Sequence, residues 1–355
     1  MGNTEYYDGT KLLSMKDING NTPEIYLCTS NRNAGKTTYF YRLCVRRFLN
    51  EKGKFCLVFR FNYELDDVAD KFFKDIGSLF FPRYFMRSER KAKGIYHELF
   101  LCGIDEDPKT GGRSCGYAIS LNSADSLKKM SHLFNDVEMM VFDEFQSETN
   151  HYCADEVNKL ISVHTSFARG RGEQVRYLPI YMCANPVSLI NPYYVSMRIS
   201  GRLQEQTKFL RGDGFVLEQG FVESASNAQK ESGFNRAFSS STYVAYASEA
   251  IYLNDNKAFI EKPKGRSVYM CTIRFNNTDF GVRMFRDLGI IYCDARPDMT
   301  FPTRFAITTN DFNVNYVMLK SYEGFFSTLR YYFEKGCFRF QDLRSKEAIL
   351  CAISY

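Results

Sequence analysis

The chain is predicted to be an α/β protein with a central, mostly parallel sheet and a second, smaller α+β domain. Three observations predict this. Short apolar runs alternate with helix-like segments through the N-terminal half, as in a layered α/β fold. A polar loop, Ser30-Asn31-Arg32-Asn33-Ala34-Gly35-Lys36-Thr37, joins one such run to a helix. Downstream, Met139-Met140-Val141-Phe142-Asp143-Glu144-Phe145 sets two adjacent carboxylates at the end of another apolar run.

Taken in order, strands are expected at residues 24–29, 55–61, 138–142 and 177–183. Helices are expected at 37–50, 66–73 and 155–168. Residues 95–102 and 115–121 flank a loop with Asp107-Pro108 and Gly111-Gly112, which reads as a hairpin inserted into the sheet order. After Asn191-Pro192 the pattern changes. Residues 196–240 are rich in serine and glycine and are expected to form a connector with modest structure. Strand-like runs at 268–275, 280–286 and 289–294 precede helix-like stretches at 322–333 and 343–353. The expected organisation is therefore 1–195, a connector at 196–240, and 241–355.

The loop 30–37 reads as a phosphate-binding loop, a Walker A motif whose first glycine is serine. Backbone N–H groups at such a loop and its helix N-terminus surround a β-phosphate. Lys36 adds a point charge at the β- and γ-phosphates, and the Thr37 hydroxyl ligates Mg²⁺. Asp143-Glu144 reads as the second half of the site, a Walker B strand end. Asp143 stands beside the Mg²⁺, and Glu144 polarises a water for in-line attack on the γ-phosphate. A kinase for a small substrate does not need this second carboxylate, so the pair favours ATP hydrolysis.

Arg169-Gly170-Arg171-Gly172 follows the 155–168 helix. A guanidinium there can meet charge developing on the γ-phosphate, frequently from a neighbouring subunit; a basic surface turn would explain the same residues. Asn185 follows the strand 177–183, where it can hydrogen-bond the attacking water, report loss of the γ-phosphate to mobile parts, or serve as an ordinary Asn-Pro turn. The basic cluster Arg83, Arg87, Arg90, Lys91 and Lys93, and the pair Lys128-Lys129, can contact nucleic-acid phosphates or form solvated charged faces.

Composition narrows the class. A net charge of +5 neither demands nor excludes a nucleic-acid partner. Eleven cysteines are scattered singly, with no metal-type pairing, and favour reduced thiols in a cytosol. No apolar run approaches a membrane span, and the polar start Met1-Gly2-Asn3-Thr4-Glu5 contains no secretory signal.

Together these residues resemble the genome-packaging ATPase of small, protein-primed tailed phages, a compact relative of terminase large subunits. The resemblance rests on the Arg-containing loop 30–37, the 55–65 run ending in Glu64-Leu65, Val141-Phe142-Asp143-Glu144-Phe145, the Arg169/Arg171 segment, and Ala184-Asn185 leading to Asn191-Pro192-Tyr193. Weaker similarity continues through 289–294 and 308–311. It implies a DNA-binding ring, a homopentamer at the portal of a viral procapsid in the host cytoplasm. That ring would hydrolyse ATP with Mg²⁺ to translocate double-stranded DNA, with a packaging RNA as a further partner. By position, Arg169 matches the family's trans-acting arginine finger, with Arg171 as rival, and Lys128 or Lys129 falls where the family grips DNA. The resemblance also implies an RNase H-like C-terminal domain. Its first candidate strand, 268–275, has no carboxylate, so a vestigial nuclease without cutting activity is expected. The competing readings are a ring helicase, a non-catalytic nucleotide-binding scaffold and, less well fitted, a small-molecule kinase.

Overall fold

The computed structural model describes residues 6–353, apart from 150, 171, 189–190, 200–201, 204–206, 240–243, 245–246 and 249–259. The chain divides into two units, residues 1–187 with 204–253, and residues 188–203 with 254–355.

The first unit is built on nine strands: β1 (Ile25–Thr29), β2 (Lys54–Phe59), β3 (Tyr84–Lys91), β4 (Tyr96–Gly103), β5 (Arg113–Ser120), β6 (Val137–Asp143), β7 (Ile180–Ala184), β8 (Phe209–Gly212) and β9 (Phe215–Gln219). They lie in the order β3-β4-β5-β2-β6-β7-β1-β9-β8. The six from β5 to β9 pair in parallel, and the edges close with antiparallel partners. Continuous apolar runs such as Met139-Met140-Val141-Phe142 in β6 suit strands covered on both faces. Helices α1 (Thr10–Ser14), α2 (Lys36–Glu51), α3 (Val68–Phe80), α4 (Ala124–Lys129) and α5 (Glu156–Phe167) accompany the sheet. In α2, Phe40, Tyr41, Cys44, Val45 and Phe48 recur at helical spacing and are buried. Phe40 stacks on Tyr181 of β7 with ring centroids 5.3 Å apart.

The expected α/β architecture and the inserted β4–β5 hairpin are present. The basic cluster 83–93 lies mostly on β3, an edge strand paired antiparallel with β4, and Arg83, Arg90 and Lys93 are exposed. Charges on such an edge discourage pairing with another chain. Two expectations need correction, and they concern other segments. The helix expected to end at 73 runs on to Phe80. Finally, 196–240 is not a connector. It supplies β8, β9 and the helices Glu223–Glu231 and Gly233–Ala237. Asp213-Gly214 turns β8 into β9, with Gly214 at φ +73°, and β9 pairs in parallel with β1 along its whole length. An Asp-Gly hairpin signal was present in the sequence, but the serine-rich surroundings masked it. The expected boundary at 240–241 falls outside the described residues.

The second unit carries β10 (Val268–Phe275), β11 (Thr278–Phe285), β12 (Ile290–Asp294), β13 (Arg304–Ala306), β14 (Val317–Met318) and β15 (Phe338–Phe340). Their order is β14-β13-β10-β11-β12-β15. Helices Glu323–Glu334 and Leu343–Ile353 pack on this sheet through Leu329, Ile349 and Ala352. Among the described residues no helix is long and apolar enough to cross a membrane.

The N-terminal segment is fastened to the first unit by Tyr7. Its N–H donates to Ala34 O at 2.7 Å, and its hydroxyl donates to Glu218 of β9 at 2.7 Å. Burial raises the Glu218 carboxyl pKa, and the Tyr7 hydrogen bond opposes that rise. Removing the hydroxyl by Tyr7→Phe leaves Glu218 without this donor and is expected to cost about 1–3 kcal/mol. Urea unfolding measures it; an unchanged midpoint would show that the contact contributes nothing.

Candidate nucleotide-hydrolysis site

The sheet order assembles the site. β7 lies between β1 and β6, and all three run in parallel. Their C-terminal ends therefore deliver the loop 30–37, Asn185 and Asp143-Glu144 to one crevice, the usual ligand position in an open parallel sheet. Asp143 pairs with Cys183, and Cys183 with Cys28, so the register places these three in one row.

The loop is held from several sides. Asn31 is fully buried; its amide donates to Val222 O at 3.0 Å and accepts from Val222 N–H at 3.0 Å. Arg32 N–H donates to Ala247 O at 3.1 Å. Asn33 and Gly35 adopt left-handed conformations, with φ +59° and +93°. A Cβ at Gly35 would also come within 3.3 Å of the Tyr6 ring. Ser30 is buried and has no positive φ, so this position makes no demand that only glycine could meet. Beneath the loop, Lys36 Nζ donates to Ser30 O (3.1 Å), Asn31 O (3.3 Å) and Asn185 Oδ1 (3.2 Å). Burial depresses the Lys36 ammonium pKa.

Across the crevice, the Asp143 carboxylate accepts from Glu144 N–H at 3.0 Å and from Tyr41 Oη at 3.5 Å, and the Thr37 side chain acts to lower its pKa. Burial nevertheless raises its pKa. Glu144 is also raised, first by burial, then by the charges of Asp143 and Glu148, with Arg32 opposing. The Glu144 backbone is left-handed, with φ +56°.

Arg32, Asn33, Ala34, Gly35, Lys36, Thr37, Asp143, Glu144 and Asn185 all line one cleft of 460 Å³, together with Tyr6 and Thr38. A chain of polar contacts crosses it. Asn185 links Lys36 to Glu148, whose carboxylate lies 3.5 Å from Asn185 Nδ2 and forms an ion pair with Arg32. Sequence reasoning did not single out Glu148 or the buried pair Arg60–Glu156, which lies behind Glu144. Arg60 was detectable as a lone charge inside the apolar run 55–61.

The donor set fits a nucleoside triphosphate with Mg²⁺. An amine, a hydroxyl and a carboxylate converge, and burial raises the pKa of both carboxyls. No cluster of three or more His, Cys, Asp or Glu suited to a metal occurs among the described residues. Mg²⁺ in nucleotide sites is bound through one or two protein groups plus phosphates and water, so Thr37 and Asp143 could hold it.

The other described residues among those expected do not line the cleft. Arg169 is exposed at the turn after α5, and its side chain makes no hydrogen bond or ion pair among the described residues. Arg171 lies outside the described residues. Lys128 pairs with Asp125 at 2.8 Å, whereas Lys129 is exposed without such a partner among the described residues. Arg83 is exposed. Arg87 is engaged within its own hairpin: it donates to Gly111 O at 2.7 Å, pairs with Glu89, and lies 4.0 Å over the Phe100 ring.

The strand order, loop and acidic pair define a P-loop ATPase of the type with an extra strand between its two nucleotide-binding strands. The family model described as Podovirus DNA encapsidation protein (Gp16) matches residues 1–351. The chain belongs to that family of DNA encapsidation proteins. The DNA packaging protein of Bacillus phage phi29 is 25% identical over 329 residues, covering 91% of this chain and 89% of its own. The solved bacteriophage Phi-29 viral genome packaging motor assembly shares the fold with a TM-score of 0.58 at 23% identity, over 99% of both chains. The Phi-28 gp11 DNA packaging motor does so with 0.60 at 15%, again over 99% of both.

The Glu144 environment has a measurable consequence. Its carboxyl should titrate above the ordinary glutamate value of about 4.3, and Arg32→Ala should move it higher by removing the opposing charge. Carboxyl ¹³C NMR, with the Glu144 signal assigned by its loss in Glu144→Gln, reads both. Titration at or below the ordinary value, or a downward move in Arg32→Ala, would contradict the electrostatic picture.

Proposed function

We propose that this chain is the ATPase subunit of a ring motor that drives double-stranded viral DNA through a portal into a procapsid. The carrying observation is that Lys36 and Thr37 share one cleft with Asp143, Glu144 and Asn185. Lys36 binds the β- and γ-phosphates, and Ser30, Arg32, Asn33, Ala34 and Gly35 shape the loop around them. Thr37 and Asp143 hold Mg²⁺, which when bound neutralises phosphate charge. Glu144 accepts a proton from the attacking water, and Asn185 stands between Lys36 and Glu148, where it can register loss of the γ-phosphate.

The exposure of Arg169 and its absence from its own cleft support its donation to a neighbouring subunit's site. Arg171 is the rival donor. A finger donated in trans makes the ring, proposed as a pentamer, a condition of full activity. Of the DNA-contact candidates, Lys129 and Arg83 are favoured over Lys128 and Arg87, whose charges are already paired. Procapsid and packaging RNA are the other partners, in the host cytoplasm.

The second unit is proposed as a vestigial nuclease. Three successive antiparallel strands, with parallel strands added beside the first, support an RNase H-like arrangement. Two of its acidic side chains are engaged by arginine. Asp294 forms a buried ion pair with Arg283, and Asp279 pairs with Arg274 at 3.1 Å while accepting from Tyr316 at 2.8 Å. Such pairs oppose the gathering of carboxylates that two-metal cleavage requires.

Glu144→Gln should retain ATP and lose steady-state turnover, since it removes the base and keeps the Mg²⁺ ligands. Arg169→Ala should likewise fail alone, yet be restored in part when mixed with Glu144→Gln, because each variant supplies what the other lacks. Normal hydrolysis by Glu144→Gln would refute the base assignment. Restoration by Arg171→Ala in place of Arg169→Ala would transfer the finger role.

A further inference from the structure

We propose that Arg60 is the positioning residue of the Glu144 carboxylate. The inference rests on the hydrolytic reading of the cleft, and it concerns a residue that does not line it. Arg60 directly follows β2 and is only 6% exposed. Its Nε donates to Glu156 Oε2 at 2.8 Å. Its Nη2 donates to the backbone carbonyls of Glu144 at 3.2 Å and Phe145 at 3.0 Å. The guanidinium carbon lies 5.5 Å from the Phe142 ring centroid and 5.0 Å from that of Tyr152. Glu156, 3% exposed, also accepts from Cys153 N–H at 2.9 Å.

The geometry is more specific than charge neutralisation requires. Glu144 holds a left-handed conformation that a residue with a Cβ disfavours, and such conformations persist only where surroundings over-determine them. One nitrogen of Arg60 grips the carbonyls of two successive peptides, which fixes the backbone rotation on the C-terminal side of Glu144. Release of that grip would let the chain relax to an ordinary conformation and swing Cβ, and with it the carboxylate, away from Asp143. A planar guanidinium can face Glu156 with one nitrogen and the carbonyls with another, which an ammonium cannot do simultaneously.

The backbone of Arg60 is tied in turn. Its carbonyl accepts from Ser120 Oγ and Asn122 N–H, both at 3.2 Å, at the start of the segment that leads into α4 and Lys129. Glu156 is the first residue of α5, the helix that ends at Phe167 just before Arg169. One side chain therefore joins the catalytic turn to the elements that carry the proposed DNA and trans contacts.

Two variants separate positioning from mere support of the fold. Arg60→Lys keeps a positive charge for Glu156 but cannot hold both carbonyls as well. The double variant Arg60→Met with Glu156→Met removes the buried pair by apolar replacement, which usually spares stability, and removes the grip. Full-length protein would be assayed for melting temperature, fluorescent-ATP affinity and turnover at saturating ATP and Mg²⁺. The expected result for whichever variant folds is ATP affinity within about twofold of the parent, with turnover lowered by about tenfold or more. Turnover within twofold of the parent would overturn the proposal. So would a parallel loss of affinity and turnover, which marks a disrupted cleft. If Glu144→Gln itself hydrolyses normally, the reading of the cleft has failed instead.

Discussion

The site depends on the parallel seating of β7 between β1 and β6. A parallel pair cannot be joined by a tight turn, so each strand arrives from a separate crossover and ends on the same side of the sheet. Three chemically different segments therefore share one crevice: the loop after β1, Asn185 after β7 and Asp143-Glu144 at the end of β6. A register slip of one residue in β6 would turn Asp143 to the opposite face. The observed pairing of Met140 with Ile180 and of Asp143 with Cys183 fixes the register that brings the carboxylate to the crevice.

Electrostatics explains why this crevice suits a charged ligand. Lys36 is desolvated beneath the loop and satisfied by three oxygens, while Asp143 and Glu144 are both pushed toward their neutral forms. A polyphosphate would supply negative charge to the lysine and a divalent cation positive charge to the carboxylates, relieving both burdens. The Lys36–Asn185–Glu148–Arg32 chain joins the two sides of the crevice by polar contacts. Arg32 thus faces the cleft, where its positive charge lowers the pKa of Glu144.

Much of this was legible in the sequence because local and global signals agree. The phosphate loop sits between a strand and a helix, and apolar runs identify β1, β2, β6 and β7 to within a few residues. What sequence reasoning missed was set by partners distant in the chain. β9 is a strand because β1 offers it an edge, although its flanks look like a connector. β3 is a strand because β4 pairs with it, although its charges suggest a solvated face. Ser30 is tolerated because the left-handed turns fall at Asn33 and Gly35, which only the folded backbone reveals. Glu148 and Arg60 gain meaning solely from what they touch across 116 and 84 positions of sequence.

The central claim is that hydrolysis in this cleft powers DNA packaging. Its most direct measurement is protection of genomic DNA from nuclease by procapsids supplied with this protein, with and without ATP. ATP-dependent protection of full-length genomes is expected with the wild-type chain and none with Glu144→Gln. Protection that needs no ATP, or that survives Glu144→Gln undiminished, would contradict it.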